Sequence, residues 1–332
     1  MQDWDFVVID NGSTDGTVAL IEHELENLSQ FRTKLRKEFR HRFIRNSENR
    51  GFAGGHNQAF EAASCKLQAA SPPEYIQLLN QDTVLAPDYF EQLVAFMDRT
   101  PQCSTTQGAL LRWDFSKVGE PDGGRTDTID TLGLRVLCNR RVVEAHTGEQ
   151  LAACSLQLGA PIEVFGISGA LPMYRRAALE DVAHDGEAFD TDFFSYKEDV
   201  DLAFRLRSAG WSAYVVPSTR AWHDRTAAGP RELTDAAAVD LRRSKSSLVR
   251  YHSYKNQFFV LIKNEHPANL IRHWPWIVGY ELKKFAYVLL REPKTLRALR
   301  EVCAQLPVMC AKRRAIMAKW RVKPAEVRKW FG

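Results

Sequence analysis

The chain has 332 residues, 45% of them hydrophobic and 26% charged. Those are the proportions of an ordinary soluble globular protein, long enough for one large α/β domain with an extension or for two domains. The formal net charge of +4 is uneven, with +9 on residues 291–332 and −5 on the rest. Six cysteines (Cys65, Cys103, Cys138, Cys154, Cys303, Cys310) show no CxxC pair or zinc spacing and read as buried thiols of a reducing cytosol. No stretch reads as a signal peptide, and Trp274 to Leu290 is interrupted by Glu281, Lys283 and Lys284, which excludes a spanning helix.

In chain order, Asp5 to Asp10 is a compact β-rich run, and Asn11-Gly12-Ser13-Thr14-Asp15-Gly16 supplies a turn. Ser13 or Thr14 is placed to cap a helix over Asp15 to Ser29. Helical propensity continues through Arg32 to Arg42, and His41 to Arg45 reads as a second strand. The Gly-rich loop Asn46 to Gly55 opens a helix over His56 to Ala70. Tyr75 to Leu79 reads as a buried central strand of a mainly parallel sheet, ending in Asn80-Gln81-Asp82-Thr83, where open α/β sheets bind ligands. A helix follows over Asp88 to Met97. The pattern is doubly wound α/β.

Gly108 to Arg112 and the Gly/Asp-rich Lys117 to Asp130 break that rhythm. Arg135 to Ala145 and Leu151 to Leu158 are read as a hairpin or a long loop. Glu163 to Tyr174 is expected as a strand around Gly166 and Gly169, Arg175 to Asp181 and Tyr196 to Ala209 as helices, and Trp211 to Pro217 as a strand. After Arg231 the chain reads as short amphipathic helices separated by Pro267, Pro275, Pro293, Pro307 and Pro324.

Acidic or imidazole groups follow strands or begin helices at Asp10, Asp82, Glu198-Asp199 and His223. Singly, each has a plain reading: an Asx turn, a helix cap, a helix start favoured by the dipole, a structural histidine. Together, VVIDNGSTDGT (7–17), NRGFAGGHNQAF (49–60), LLNQDTVLAPDYF (78–90), GISGALPMYRRAAL (166–179), FDTDFFSYKEDVDLAFRLRSAGW (189–211) and His223 resemble, in order and spacing, the family 2 glycosyltransferases, particularly a rhamnosyltransferase-like branch of bacterial surface polysaccharide assembly.

That resemblance implies a GT-A, nucleotide-diphospho-sugar transferase fold, with a mixed sheet flanked by helices and a helical C-terminal extension. The expected division is a glycosyltransferase domain over 1–230 and a basic helical extension over 231–332. The implied reaction is metal-dependent inverting transfer of rhamnose or a similar hexose from a dTDP- or UDP-linked donor. Asp199 would be the catalytic base. Asp10, Asn11, Ser13, Asp15, Asn49, Gly51, Asn57, Asn80 and Gln81 would line the nucleotide and donor, and Gly169, Glu198 and Trp211 the acceptor or sugar. Asp82 and His223 would hold Mg²⁺ or Mn²⁺, with Asn80 where a full DxD motif has its first Asp. The first βα unit usual in the family is expected to be missing here, which would expose neighbouring strand edges.

The basic tail suggests an inner-leaflet membrane surface, near a glycan or lipid-linked acceptor, for a cytoplasmic or peripheral protein. A homodimer through the same apolar faces and a solvated helical face are the competing readings, and no nucleic acid is expected. Within Arg250 to Asn256, Lys255 is read as a phosphate contact or part of a solvated face. A nucleotidyltransferase would need an amino-terminal Gly-rich phosphate loop that the sequence lacks. A truncated, inactive relative acting as a binding or scaffold subunit is the alternative outside catalysis.

Overall fold

The computed structural model of the protein describes residues 5–35, 40–64, 72–154, 159–224 and 234–332. Cys65, the end of the helix expected to Ala70, residues 155–158 and the 230/231 boundary lie outside them.

Strand β1 (Asp5–Asp10) leads through α1 (Thr17–Leu35) to β2 (Arg40–Arg45), and the two strands pair in parallel as a separate two-stranded sheet. After α2 (Gly51–Ser64) come β3 (Tyr75–Gln77), β4 (Thr83–Leu85), α3 (Tyr89–Arg99), β5 (Cys103–Trp113) and β6 (Arg125–Thr131). A hairpin of β7 (Leu134–Val136) and β8 (Val142–Glu144) follows, so the hairpin expected in this region lies within its first half. Next are β9 (Ile162–Val164), β10 (Met173–Arg175), α4 (Arg176–Val182), α5 (Glu198–Ser208) and β11 (Ser212–His223). Five helices close the chain: α6 (Asp235–Ser244), α7 (Ser247–Asn264), α8 (Pro267–Arg291), α9 (Arg297–Ala318) and α10 (Pro324–Arg328).

The main sheet has seven strands in the order β3-β10-β5-β11-β4, with β6 added to β5 and β9 to β11. Only β5 and β11 run parallel in it; the other pairs are antiparallel. The architecture is thus mixed α/β with a helical C-terminal region, but the Tyr75 strand is not central and the sheet is not mainly parallel. β3 is three residues long and lies at one end of the strand order. Among the described residues no strand pairs with its outer edge, or with the edge of β1 opposite β2.

The central strand is β5, through the segment that reads in sequence as a break. Its Ser104-Thr105-Thr106-Gln107 is polar, yet wholly buried. Ser104 Oγ donates to Ser212 O at 2.9 Å and Thr106 Oγ1 to Tyr214 O at 2.8 Å, so these two hydroxyls are satisfied by the neighbouring strand, whereas Thr105 Oγ1 has no hydrogen-bond partner among the described residues. Gly108 is required there: a Cβ would come within 2.7 Å of the Tyr89 ring and 2.8 Å of Thr219 O.

The C-terminal helices share a core with the sheet layer. Leu134, Phe165, Val200 and Phe204 pack in one cluster with Phe259, Val260, Val302, Met309 and Phe331. Pro275 and Pro307 do not separate short segments; they lie inside helices of 25 and 22 residues. A helix can keep a proline by giving up one backbone hydrogen bond when packing holds the rest. The cysteines are not uniformly buried either: Cys103 and Cys154 are, Cys138 and Cys310 are half-buried, and Cys303 is exposed.

Candidate functional site

Two loops of the first layer are tied together by asparagines. Asn11 Nδ2 donates to Asn49 Oδ1 at 3.1 Å and Gly51 O at 3.0 Å, while its Oδ1 accepts from Asn46 Nδ2 and Arg50 N, both at 3.1 Å. Asp10 closes β1 as an Asx turn, accepting from Gly12 N at 3.2 Å and Ser13 N at 3.1 Å. Hydrogen bonds from Ser13, side chain first and then backbone, and from Gly12 hold its carboxyl below the usual range. Asp15, rather than Ser13 or Thr14, holds the start of α1, accepting from Thr17 N at 3.2 Å and Thr17 Oγ1 at 2.6 Å. Ser13 and Asp15 are otherwise exposed.

Gly51 begins α2 at φ +72°, and a Cβ there would meet Phe194 O at 2.3 Å. The close approach lets the first N–H groups of the helix find partners: Phe52 N donates to Ser195 Oγ at 3.0 Å and Ala53 N to Phe194 O at 3.1 Å. Asn57, further along α2, spends both ends of its amide on the backbone of Phe189, at 2.7 and 3.0 Å. The segment gripped by α2 holds three non-glycine residues at positive φ, Phe194, Tyr196 and Lys197. Such backbone persists only where the surroundings over-determine it. Here α7 supplies the hold: Asn256 Nδ2 lies 2.9, 2.9 and 2.6 Å from the carbonyls of Phe193, Ser195 and Tyr196. Sequence reading passed over Asn256, because an Asn inside a helix carries no local signal of the loop it clamps.

That loop delivers Glu198 and Asp199 into the first turn of α5. Asp199 Oδ2 accepts from Gly169 N at 3.0 Å, and its Oδ1 accepts from Val200 N at 2.7 Å. Burial, then the charge of Glu144, raises the Asp199 carboxyl against those two hydrogen bonds and Lys197. Glu198 is buried at 5% exposure, its Oε2 has no hydrogen-bond partner among the described residues, and burial followed by Asp199 pushes it well above the carboxylate range. Gly169 fits because its α-carbon faces the Phe52 ring, which a Cβ would meet at 2.9 Å. The adjacent Ala170 accepts from Asn80 N at 3.2 Å, so residues 169 and 170 join Asp199 to the turn after β3.

In that turn Thr83 Oγ1 donates to Asn80 O at 2.6 Å and Gln81 is exposed. Asp82 precedes β4, whose Thr83 pairs with His223 at the end of β11. Asp82 Oδ1 lies 3.2 Å from His223 Nε2, yet it accepts no aligned hydrogen bond among the described residues. His223 Nδ1 lies 3.0 Å from Asp130 Oδ2, and Asp130 is wholly buried. With the Nδ1 proton directed to Asp130, the Nε2 lone pair and the Asp82 carboxylate face each other, two acceptors with nothing between them. Such a donor set fits a divalent cation that takes its remaining ligands from substrate phosphates and water.

Asp130 is a site residue that sequence reading placed only at the end of a Gly/Asp-rich loop. β6 pairs Thr131 with Leu110 and Ile129 with Leu111, leaving Asp130 as the extra residue of a bulge, a device that re-aims a side chain. Its signal was present: an acid set among Thr and Ile in a β-rich run. Among the described residues the only group of three potential metal ligands within reach of one another is His146, Glu149 and Cys154, which includes none of the expected ones.

Two expectations are corrected by placement. Trp211 lies beyond the far end of α5, which rises about 14 Å from Asp199 to its last residue, Ser208. Its Nε1 donates to Asp181 Oδ2 at 2.8 Å and its ring packs on a core cluster at the end of α5 opposite Asp199. Lys255 does not lie on a solvated face: its Nζ donates to Asp192 O at 2.7 Å and Glu301 Oε1 at 3.1 Å, and it is 2% exposed.

The family model of glycosyl transferase family 2 matches residues 1–182, more than half of the chain and short of Asp199 and His223. Two relatives, from two strains of Mycobacterium tuberculosis, are N-acetylglucosaminyl-diphospho-decaprenol L-rhamnosyltransferases. Each is 24% identical over 255 residues, 74% of this chain and 75% of the relative. Among solved structures, GalNAc-T7 with UDP, GalNAc and Mn²⁺ aligns at a TM-score of 0.46 and 13% identity, over 86% of this chain and 51% of that one.

Proposed function

The chain belongs to glycosyl transferase family 2, and from that premise we propose that it transfers rhamnose or a similar hexose, with inversion, from a dTDP- or UDP-linked donor to a lipid-linked glycan acceptor in cell-surface polysaccharide assembly. The observation that carries this reading is the joint of residues 169 and 170. Through it a half-buried carboxyl of raised proton affinity, Asp199, stands next to the turn that bears Asp82.

In this reading Asp199 takes the proton of the acceptor hydroxyl as the new C–O bond forms, a role its raised proton affinity suits. A single displacement from the face opposite the leaving group inverts the anomeric carbon and asks for no second carboxylate as nucleophile. Burial pushes Glu198 toward its neutral form, which lessens the competing charge beside the base. Asp82 and His223 would hold Mg²⁺ or Mn²⁺, with Asp130 orienting the imidazole from behind. A cation there would draw negative charge off the leaving nucleoside diphosphate. The loops locked by Asn11 and Asn49, and the turn of Asp10, form the rim at which the nucleotide is read. A donor and a lipid-linked acceptor of this kind place the protein at the cytoplasmic face of a membrane. The relatives' activity, rhamnosyl transfer to a decaprenol-linked sugar, supports the choice of sugar and acceptor.

Calorimetric titration with dTDP, UDP and GDP, with and without Mn²⁺, tests it. The expected result is metal-dependent binding of one nucleotide, lost in Asp82→Ala. Absence of binding to all three overturns catalysis for this chain and leaves a binding or scaffold role.

A further inference from the structure

Helix α8 carries a face that nothing in the described fold covers. Its inner side is narrow, with Asn269, His273, Ile277 and Val288 as its buried residues. On the other side Ile271, Trp274, Val278, Leu282, Phe285 and Leu289 recur at steps of three or four, which lines them along one stripe. All six are exposed, from 39% at Phe285 to 74% at Ile271, and the flanking Trp276 and Leu290 are 57% and 77% exposed. A contiguous apolar patch on a water-facing helix marks an interaction surface.

The charge around the stripe identifies what covers it. From residue 266 to 300 every exposed charged side chain is cationic: Arg272, Lys283, Arg291, Lys294, Arg297 and Arg300. The two acids of that stretch are turned inward. Glu292 is buried and paired with Arg242 at 2.7 Å, and Glu281 is half-buried. A second copy docked on this face would set like charges against one another, whereas an anionic lipid surface is complementary. Two exposed tryptophans suit the headgroup level, where an indole is wet at one end and apolar at the other. No helix of the described residues is long and apolar enough to cross a membrane.

We propose that α8 lies in the plane of an anionic bilayer surface, its apolar stripe seated among the acyl chains and its cations on the headgroups. The partner surface rests on the reading of a lipid-linked acceptor, and the fold connects the two. The inner side of α8 carries Glu281 and Lys284, whose charges act on Lys197, two residues before Asp199. Docking through α8 therefore holds the loop of the base close to the membrane, where the diphosphate of an acceptor emerges.

Flotation of the full chain with vesicles of phosphatidylcholine, alone or with about one-third phosphatidylglycerol, tests this. Binding to the anionic vesicles is expected to exceed binding to neutral ones by about tenfold or more, with a blue shift of tryptophan emission. The variant Ile271→Ser/Leu282→Ser/Phe285→Ser/Leu289→Ser is expected to lose binding while retaining its circular dichroism and nucleotide binding. Arg272→Glu/Lys283→Glu, which leaves the stripe intact, is expected to lose the preference for anionic lipid and covers the case of a serine variant that misfolds. Absence of binding to either vesicle overturns the proposal. So does sedimentation showing a dimer that the serine variant converts to monomer, since the stripe is then a subunit interface. Flotation requires no nucleotide, so its failure leaves the donor site standing, and failure of the nucleotide titration leaves flotation interpretable.

Discussion

Asp199 is raised above the ordinary carboxylate range first by burial and then by Glu144, against hydrogen bonds from Gly169 N and Val200 N. The sign of its effect on stability follows from that direction. A carboxyl whose folded-state pKa is raised favours folding at low pH, and that advantage is lost as pH rises through the folded pKa, above which the buried charge is a net cost. Asp199→Asn keeps the shape and removes the charge. It is expected to lower turnover by about 10²- to 10⁴-fold while raising Tm at neutral pH by about 1–2 °C, the shift that roughly 1 kcal/mol gives in a chain of this size. Calorimetry beside a transfer assay reads both, and a fall in Tm removes the account of a destabilised base. In the native protein the rate is expected to fall with falling pH along a limb lying above about 4, the ordinary Asp value. A limb at the ordinary position excludes Asp199 as the titrating base.

Elements hold these residues in place through a contact between parts distant in the chain. The loop before α5 keeps three residues at positive φ, and α7 secures it with one amide spread over the carbonyls of Phe193, Ser195 and Tyr196, while His252 stacks on Phe194 with ring centroids 5.1 Å apart. Asn256→Ala leaves those carbonyls without their donor and is expected to cost about 1–3 kcal/mol, with a fall in activity larger than the loss of folded protein explains. Urea midpoints and kcat on the same samples separate the two effects. Unchanged activity in a destabilised variant makes Asn256 purely structural. Within residues 250–256 the sequence drew notice to Lys255, but it is Asn256 that holds the loop before α5. That was illegible because the three carbonyls lie about sixty residues earlier in the chain.

Across the whole molecule the tail is bound to the sheet layer by a buried ion network. Lys263, 1% exposed, pairs with Asp190 and with Asp201 at 2.8 Å. Arg205 reaches Asp201 at 2.9 Å, and Lys312 reaches Asp190 and Asp192, each at 2.6 Å. Burial alone would raise the Asp190 and Asp201 carboxyls, but the cations outweigh it and hold both below the usual range. Groups depressed in this way give stability that is present above the unfolded carboxylate pKa and lost as pH falls through the folded one. Lys263→Met leaves two acids with fewer partners and is expected to cost about 3–5 kcal/mol, to be measured by urea unfolding at neutral pH and again in acid. A cost that persists undiminished in strong acid excludes the ion network as its source. The same network takes up part of the +9 carried by residues 291–332. Lys312 is spent on Asp190 and Asp192, Arg321 on Asp181, and Lys319 on the carbonyls of Asp181 and Ala183. Arg272, Lys283, Arg291, Lys294, Arg297 and Arg300, on and after α8, stay exposed. Read alone, the sequence determined the alternation of strands and helices, the motifs in their order, and the positions of Asp10, Asp82 and Asp199 at strand or helix ends, because those signals are carried by residues within a few places of one another. Only the tertiary structure decided that polar β5 is the centre of the sheet, that Asp130 stands behind His223 across 93 residues, and that Lys312, Lys319 and Arg321 of the basic tail are tied to distant segments. Those facts depend on hydrogen-bond and ion partners from distant segments, and no local pattern records such partners.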